Sequence, residues 1–121
     1  LFPGIQENIA RHMFDAPELR GIVMRSFGSG NAPQKPWLTR LLKDATQRGV
    51  TIVNISQCVA GFVKMGRYDT GFQLQDAGVV SGGDSTVESA ITKLMFLQAH
   101  YKDPRVIRNL MGRSICGEIT K

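Results

Sequence analysis

Polar side chains and glycines follow each of three short apolar runs in this sequence. Arg25 comes directly after the run at residues 21–24, and Asn31 lies in a glycine-rich turn just beyond it. Cys58 closes the polar segment NISQC after the second run, and the segment SGGDST at residues 81–86 follows the third. Open α/β sheets bind ligands at the carboxyl ends of their strands. The pattern therefore predicts a site for a small polar molecule where the three strands end.

Arg25 and Asn31 have the side chains best suited to hold such a ligand. A guanidinium binds a carboxylate through two parallel hydrogen bonds, which would anchor an amino acid. The Asn31 amide could contact a small polar molecule from the turn. A structural ion pair is the alternative role for Arg25, and the residues alone leave both roles open.

Ser56 and Cys58 are candidate nucleophiles by residue type, but their surroundings in the sequence do not favour catalysis. No G-x-S-x-G segment is present, and neither His12 nor His100 lies near them in sequence. A serine or cysteine nucleophile needs an adjacent base or a lowered pKa. We therefore predict binding or structural roles, with Cys58 as a small, half-buried side chain.

Two glycine-rich turns have the composition of anion-binding loops. The first, GSGNAP at residues 28–33, begins like a dinucleotide-binding fingerprint. Pro33 replaces its third glycine, however, and no acidic residue ends the next strand, so a nucleotide-binding domain is the weaker alternative. The second, at residues 82–85, opens a helix whose amides could hold an anion, although Ser85 and Glu88 also match a capping box.

The composition is that of an ordinary globular domain. Of the 121 residues, 42% are hydrophobic and 21% are charged, and the formal net charge is +5. The basic residues are scattered, so we predict no nucleic-acid partner. No apolar run approaches the roughly 20 residues of a membrane span. The two cysteines form no C-x-x-C pair, which argues against a metal or dithiol site and favours a reducing compartment.

The elements that position these residues alternate between strands and helices. Strands are predicted at residues 21–24, 50–55 and 77–81, with a long loop at 59–76. Four helices are predicted from apolar residues at helical spacing, with faces containing Ile5, Ile9 and Met13; Leu38, Leu41, Leu42 and Ala45; Val87, Ala90, Ile91, Leu94 and Met95; and Val106, Ile107, Leu110 and Met111.

This order of elements predicts an α/β fold. The expected architecture is a small three-layer parallel sheet of about four strands flanked by helices, and it is Rossmann-like. Gly49 should end the second helix, while Asp103 and the proline after it should open the last one. Leu1 and Phe2 have the character of the end of a fourth strand. Because the first residue is not methionine, we expect a fragment of a longer protein.

Five segments, in order along nearly the whole chain, resemble those of type I (cytoplasmic) bacterial L-asparaginases. They are MRSFGSGNAPQ at residues 24–34, VNISQC at 53–58, KMGRYDTG at 64–71, GVVSGGDSTVESAITK at 78–93 and GEIT at 117–120. Together they are more specific than any single motif. The chain is thus similar to the C-terminal domain of these enzymes, and residues 1–121 would form that one domain.

The resemblance implies hydrolysis of L-asparagine to L-aspartate and ammonia without a cofactor. In that family the threonine nucleophile, a supporting threonine–aspartate pair and a lysine all belong to the N-terminal domain. None of those motifs is in this sequence. The resemblance therefore implies that catalytic residues lie outside this chain and that the isolated domain is inactive.

The resemblance also implies binding residues and partners. In family dimers this domain packs near the active site of the neighbouring subunit, where Asn31 would touch the substrate. Arg25 and Cys58 would contribute to an allosteric L-asparagine site. We therefore expect contacts with the protein's own N-terminal domain and with further copies, as a dimer or tetramer, in the cytoplasm and without nucleic acid or membrane.

Overall fold

The computed structural model describes residues 4–26, 35–57 and 74–120. Strands and helices alternate through the first two of these ranges, and two helices follow the last strand. Residues 74–76 form a further helical turn. The elements with complete bounds are α1 (Glu7–Phe14), β1 (Gly21–Ser26), α2 (Pro36–Gln47), β2 (Thr51–Ser56), β3 (Val80–Ser81), α3 (Val87–His100) and α4 (Pro104–Met111).

The three described strands form one parallel sheet in the order β1-β2-β3. Gly21 of β1 is in register with Thr51 of β2, and Ser26 is in register with Ser56, so these two strands begin and end together. Ser81 of β3 is in register with Asn54. The carboxyl ends of all three strands therefore meet at one edge, as the sequence predicts.

Helices cover both faces of the sheet, which confirms the three-layer prediction. On one face α1 and α2 pack in an apolar cluster that includes Phe14, Leu42 and Ile52. On the other face α3 and α4 pack in a second cluster that includes Val53 and Leu94. Adjacent residues of a strand point to opposite faces. Every residue of the central strand β2 is accordingly buried, as expected for a parallel strand covered by helices on both faces.

The predicted helix ends are largely confirmed. Gly49 follows α2 with a φ of 95°, a conformation that glycine adopts without the steric penalty of a side chain. Asp103 caps α4, since its carboxylate accepts a hydrogen bond from the backbone nitrogen of Arg105 at 3.0 Å. Pro104 then occupies the first turn, where a missing N–H costs nothing.

The predicted capping box at the start of α3 is wrong. The capping residue is Thr86, whose hydroxyl accepts from the Ser89 backbone nitrogen at 3.1 Å. The Ser85 hydroxyl instead donates to the carbonyl of Glu118, 3.3 Å away. Two adjacent hydroxyl residues precede this helix, and the tertiary contact of Ser85 leaves Thr86 to cap it.

Two predicted helix faces are rotated in the structure. Ile9 and Met13 of α1 are about half exposed, at 51% and 54%, and Ala10 and Phe14 are buried instead. Similarly, Met95 of α3 is exposed, and the buried residues of that helix are Ala90, Leu94 and Leu97. Both helices carry more apolar residues than one face can hold, so spacing alone selects the wrong set.

The strand predictions differ from the structure mainly in length. The third strand is only two residues long, Val80–Ser81, because the chain before it forms the helical turn at 74–76 and a turn at Gly78, which has a φ of 93°. The expected fourth strand at Leu1 and Phe2 and most of the predicted loop at 59–76 lie outside the described residues. Within the described ranges, no helix is long and apolar enough to cross a membrane.

Candidate functional site

Arg25 lies at the carboxyl end of β1 with an exposed residue surface. Its neighbours Met24 and Ser26 are buried, as expected where side chains alternate along a strand. The Arg25 carbonyl accepts a hydrogen bond from Nε2 of Gln57, 2.8 Å away. The backbone that carries the guanidinium is therefore fastened to the segment that leaves β2.

Ser26 and Asn54 form a buried polar pair next to Arg25. The Ser26 hydroxyl lies 2.5 Å from Oδ1 of Asn54 and 3.3 Å from the carbonyl of Ile55, and neither Ser26 nor Asn54 has any exposed surface. Buried polar groups cost free energy unless they are hydrogen-bonded. This pair therefore fixes how the ends of β1 and β2 sit against each other.

The end of β3 is fastened to β2 by a glycine. The Gly82 backbone nitrogen donates to the Asn54 carbonyl at 2.9 Å. A Cβ on Gly82 would lie 2.7 Å from Cγ2 of Ile55 and 3.0 Å from Cγ1 of Val53. Both contacts are with buried side chains, so no larger residue fits here without displacing the core.

The turn that follows, residues 82–86, is held by the C-terminal segment at residues 113–120, which we call the C-terminal strap. The Asp84 carboxylate accepts from the Thr120 backbone nitrogen at 2.8 Å and also from the Thr120 hydroxyl. These hydrogen bonds lower the pKa of Asp84 below its ordinary value, the hydroxyl contributing most. The same hydrogen bonds hold the Asp84 carboxylate near the edge where the strands end.

A buried ion pair fixes the C-terminal strap to α3. Nζ of Lys93 lies 2.9 Å from a Glu118 carboxylate oxygen, and the two side chains are only 8% and 7% exposed. Lys93 also donates to the carbonyls of Arg113 at 2.6 Å and Met111 at 3.2 Å. The three donors of the ammonium group are thus all used, as a buried lysine requires.

Both oxygens of the Glu118 carboxylate accept hydrogen bonds from the backbone, and one of them also faces Lys93. The donors are the backbone nitrogens of Ile115 at 2.6 Å and Cys116 at 2.8 Å. Burial alone would raise the pKa of Glu118, but the hydrogen bond from Lys93 and those backbone hydrogen bonds outweigh it. The net effect holds the pKa well below its usual range, so Glu118 is a carboxylate at neutral pH.

Of the site residues predicted from the sequence, Arg25 lies at the expected edge, and Asn31 and Cys58 fall outside the described residues. The described cysteine, Cys116, is exposed, and its thiol donates to Glu118 at 3.3 Å. That hydrogen bond and the negative charge of Glu118 raise the thiol pKa. Across the described ranges, no cluster of histidine, cysteine and acidic residues could hold a metal ion.

Sequence reasoning missed the part that Lys93, Glu118 and Thr120 play at this edge. All three lie in segments that resemble the asparaginase pattern, but their types indicate only ordinary surface residues. The available signal is the length of the segment at residues 113–120, which follows the predicted helix end at Gly112 and includes the sequence GEIT. A segment of this length can fold back onto the domain. The residues that this segment contacts are determined by the tertiary structure.

Comparison with known proteins identifies the domain. The family model described as the glutaminase/asparaginase C-terminal domain matches residues 1–111. The chain belongs to this family. L-asparaginase 1 of Escherichia coli K12 is 40% identical to it over 120 residues, which cover 99% of this chain and 35% of that protein. The domain thus spans about a third of that relative's length.

Two further comparisons extend the match to structure and to a differently named protein. The crystal structure of L-asparaginase I from Vibrio cholerae is 41% identical and superposes with a TM-score of 0.93, covering 100% of this chain and 36% of that one. A human protein named 60 kDa lysophospholipase is 40% identical over 121 residues, which cover 21% of its length. Closely similar copies of this domain therefore occur in proteins named for different reactions.

Proposed function

We propose that this chain is the C-terminal domain of an L-asparaginase that hydrolyses L-asparagine to L-aspartate and ammonia without a cofactor. The observation that carries the proposal is the likeness to L-asparaginase I of Vibrio cholerae, at 41% identity and a TM-score of 0.93 over the entire chain. The 40% identity to L-asparaginase 1 of Escherichia coli supports it.

We further propose that the catalytic nucleophile belongs to another part of the polypeptide. Among the described residues, Ser26 is buried and donates to Asn54 and Ile55. The raised thiol pKa of Cys116 makes it a poor nucleophile at neutral pH. A relative named for lysophospholipase activity contains a similar domain. A domain shared by proteins named for different reactions supports a nucleophile that lies outside the domain.

The role proposed for this domain is to bind L-asparagine as an effector and to complete the edge of the active site in an oligomer. Arg25 is exposed at the end of β1 and has the chemistry to hold an amino-acid carboxylate. Cys58 would contribute to the same effector site. Asn31 would reach the substrate of a neighbouring subunit in a cytoplasmic dimer or tetramer.

The test is ammonia release by the full-length polypeptide over a wide range of L-asparagine concentrations, with and without Arg25→Ala. We expect a sigmoidal curve that Arg25→Ala flattens or shifts to higher concentration. Arg40→Ala is the matched control, since it removes an exposed arginine from the middle of α2 and should leave the curve unchanged. If the full-length polypeptide released no ammonia from L-asparagine, the proposed asparaginase activity would be disproved. A hyperbolic curve that Arg25→Ala does not change would disprove the effector role.

A further inference from the structure

The C-terminal strap connects α3 to the turn at residues 82–86 through side chains that can be altered one at a time. At one end, the Lys93–Glu118 ion pair holds the strap against α3. At the other, both donors of Thr120 bind the carboxylate of Asp84. Ser85 adds a hydrogen bond to the carbonyl of Glu118. The turn is thereby linked to the strap at two successive residues.

The same turn is part of the edge at which the three strands end. Gly82 donates to Asn54 of β2, and Asn54 accepts from Ser26, the residue beside Arg25. A chain of contacts therefore runs from Thr120 through the turn and β2 to the backbone of Arg25. Neighbouring parallel strands are about 4.8 Å apart, and β1 and β3 lie on either side of β2, so they are about 10 Å apart. One small ligand and the side chains that hold it can span that distance.

Asp84 has the charge that an amino-acid ligand requires opposite Arg25. A free amino acid carries a carboxylate, which suits a guanidinium, and an ammonium group, which suits a carboxylate. Asp84 is anionic at neutral pH, and its hydrogen bonds from Thr120 lower its pKa further. Those bonds also limit its rotation, so the carboxylate is held in one orientation before a ligand arrives, which reduces the entropy lost on binding.

We infer that Thr120, with Lys93 and Glu118 behind it, is a positioning residue for effector binding, because it orients the turn that presents Asp84 beside the Arg25 edge. The inference rests on the proposed effector role of this domain. Loosening the strap should therefore weaken the response to L-asparagine without touching the catalytic residues.

The decisive variant is Thr120→Val in the full-length polypeptide. It keeps the side-chain shape and the backbone donor but removes the hydroxyl that binds Asp84. Thr120 is exposed, so the protein should fold normally. We expect the L-asparagine concentration at half-maximal effector response to rise about three- to tenfold, within the range for losing one ordinary, solvent-exposed hydrogen bond. The maximal rate and the melting temperature without ligand should change little.

Two variants serve as controls. Thr92→Val removes an exposed threonine hydroxyl that binds only carbonyls of its own helix, α3, and should leave the response unchanged. Thr120→Ser restores the hydroxyl and should return the half-maximal concentration to within about twofold of the wild type, since only a methyl group is lost. Rescue by serine separates the hydrogen bond from packing.

The possible outcomes separate the positioning role of Thr120 from the effector role of the domain. A wild-type protein without any effector response would overturn both. If the wild type responds and Arg25→Ala abolishes the response, while Thr120→Val leaves it unchanged, only the positioning role is wrong. A Thr120→Val protein that loses thermal stability with unchanged effector affinity would likewise reduce the strap to a structural support.

Discussion

Ser26 and Asn54 are joined side chain to side chain at 2.5 Å, with no exposed surface on either residue. Ser26 is the last residue of β1, and Asn54 lies in the middle strand. Each polar group in a buried sheet needs a hydrogen-bond partner, because leaving it without one costs more free energy than the hydrogen bond contributes. The pair therefore adds a buried side-chain restraint to the backbone hydrogen bonds and the Gln57–Arg25 hydrogen bond that also join these two strands.

Ser26→Ala should accordingly destabilise the protein by about 1–3 kcal/mol, because it removes one donor to the buried oxygen of Asn54. Denaturant titration would measure the change in the free energy of unfolding. Ser89→Ala is the matched control on a half-buried helical position, where alanine should be neutral or slightly stabilising. Equal stabilities of the two variants would show that the Ser26–Asn54 bond contributes nothing.

Gly82→Ala should destabilise the protein by about 1–3 kcal/mol through overpacking. The added Cβ would meet Ile55 at 2.7 Å and Val53 at 3.0 Å, and both side chains are buried. Gly4→Ala is the control, since nothing lies within 4 Å of the Cβ built there. Thermal melting of both variants would check this, and a Gly82→Ala protein as stable as wild type would mean that β3 can shift at no cost.

Thr86→Ala should lower the free energy of unfolding by about 1 kcal/mol, the usual cost of losing a helix cap. Thr86 accepts from the Ser89 nitrogen, whereas Ser85 does not cap α3. Ser85→Ala should therefore cost less. Chemical denaturation of both variants would decide between the two residues, and a larger loss for Ser85→Ala would restore the capping box predicted from the sequence.

The Lys93–Glu118 pair should make stability fall in acid. The pKa of Glu118 in the folded protein lies well below its ordinary value of 4.5, so the folded state favours the carboxylate. Its contribution is complete above pH 4.5 and is lost progressively as the pH falls from there towards the folded-state pKa. The free energy of unfolding, measured between about pH 5 and pH 2.5, should therefore decline.

The Glu118→Gln variant should remove that part of the decline, because glutamine does not titrate. It should also be less stable than the wild type at neutral pH, since it leaves the buried Lys93 ammonium without its counter-charge. Glu88→Gln is the control, an exposed carboxylate on α3, the helix that contains Lys93. An acid profile that Glu118→Gln does not flatten would assign the decline to other carboxylates, such as Asp84.

Much of this fold could be predicted from the sequence because β2 is buried on both faces. Its β-branched run from Thr51 onwards indicates a central parallel strand, and Gly49 and Pro104 mark helix ends through their own backbone restrictions. The helix faces of α1 and α3 could not be chosen, since Ile9 and Met95 are apolar yet exposed. Exposed apolar side chains are common, so hydrophobicity alone does not decide orientation.

The candidate site was predictable in its location and only partly in its composition. Arg25 follows an apolar run, and its place at the sheet edge is a consequence of parallel topology. The link between Thr120 and Asp84 depends on a chain reversal after α4 that no local pattern encodes. Asn31 and Cys58, which fall outside the described residues, stay predictions.

The attachment of Thr120 to Asp84 also has a consequence for synthesis on the ribosome. Domains form as the chain emerges from its amino end, and the three strands, complete at Ser81, precede Thr120 in that order. A nascent chain can therefore assemble its sheet while the turn beyond β3 still lacks its last restraint. Translation must pass residue 120 before that edge reaches its final geometry, so a chain that stopped just before Thr120 would contain all three described strands but lack the hydrogen bonds to Asp84.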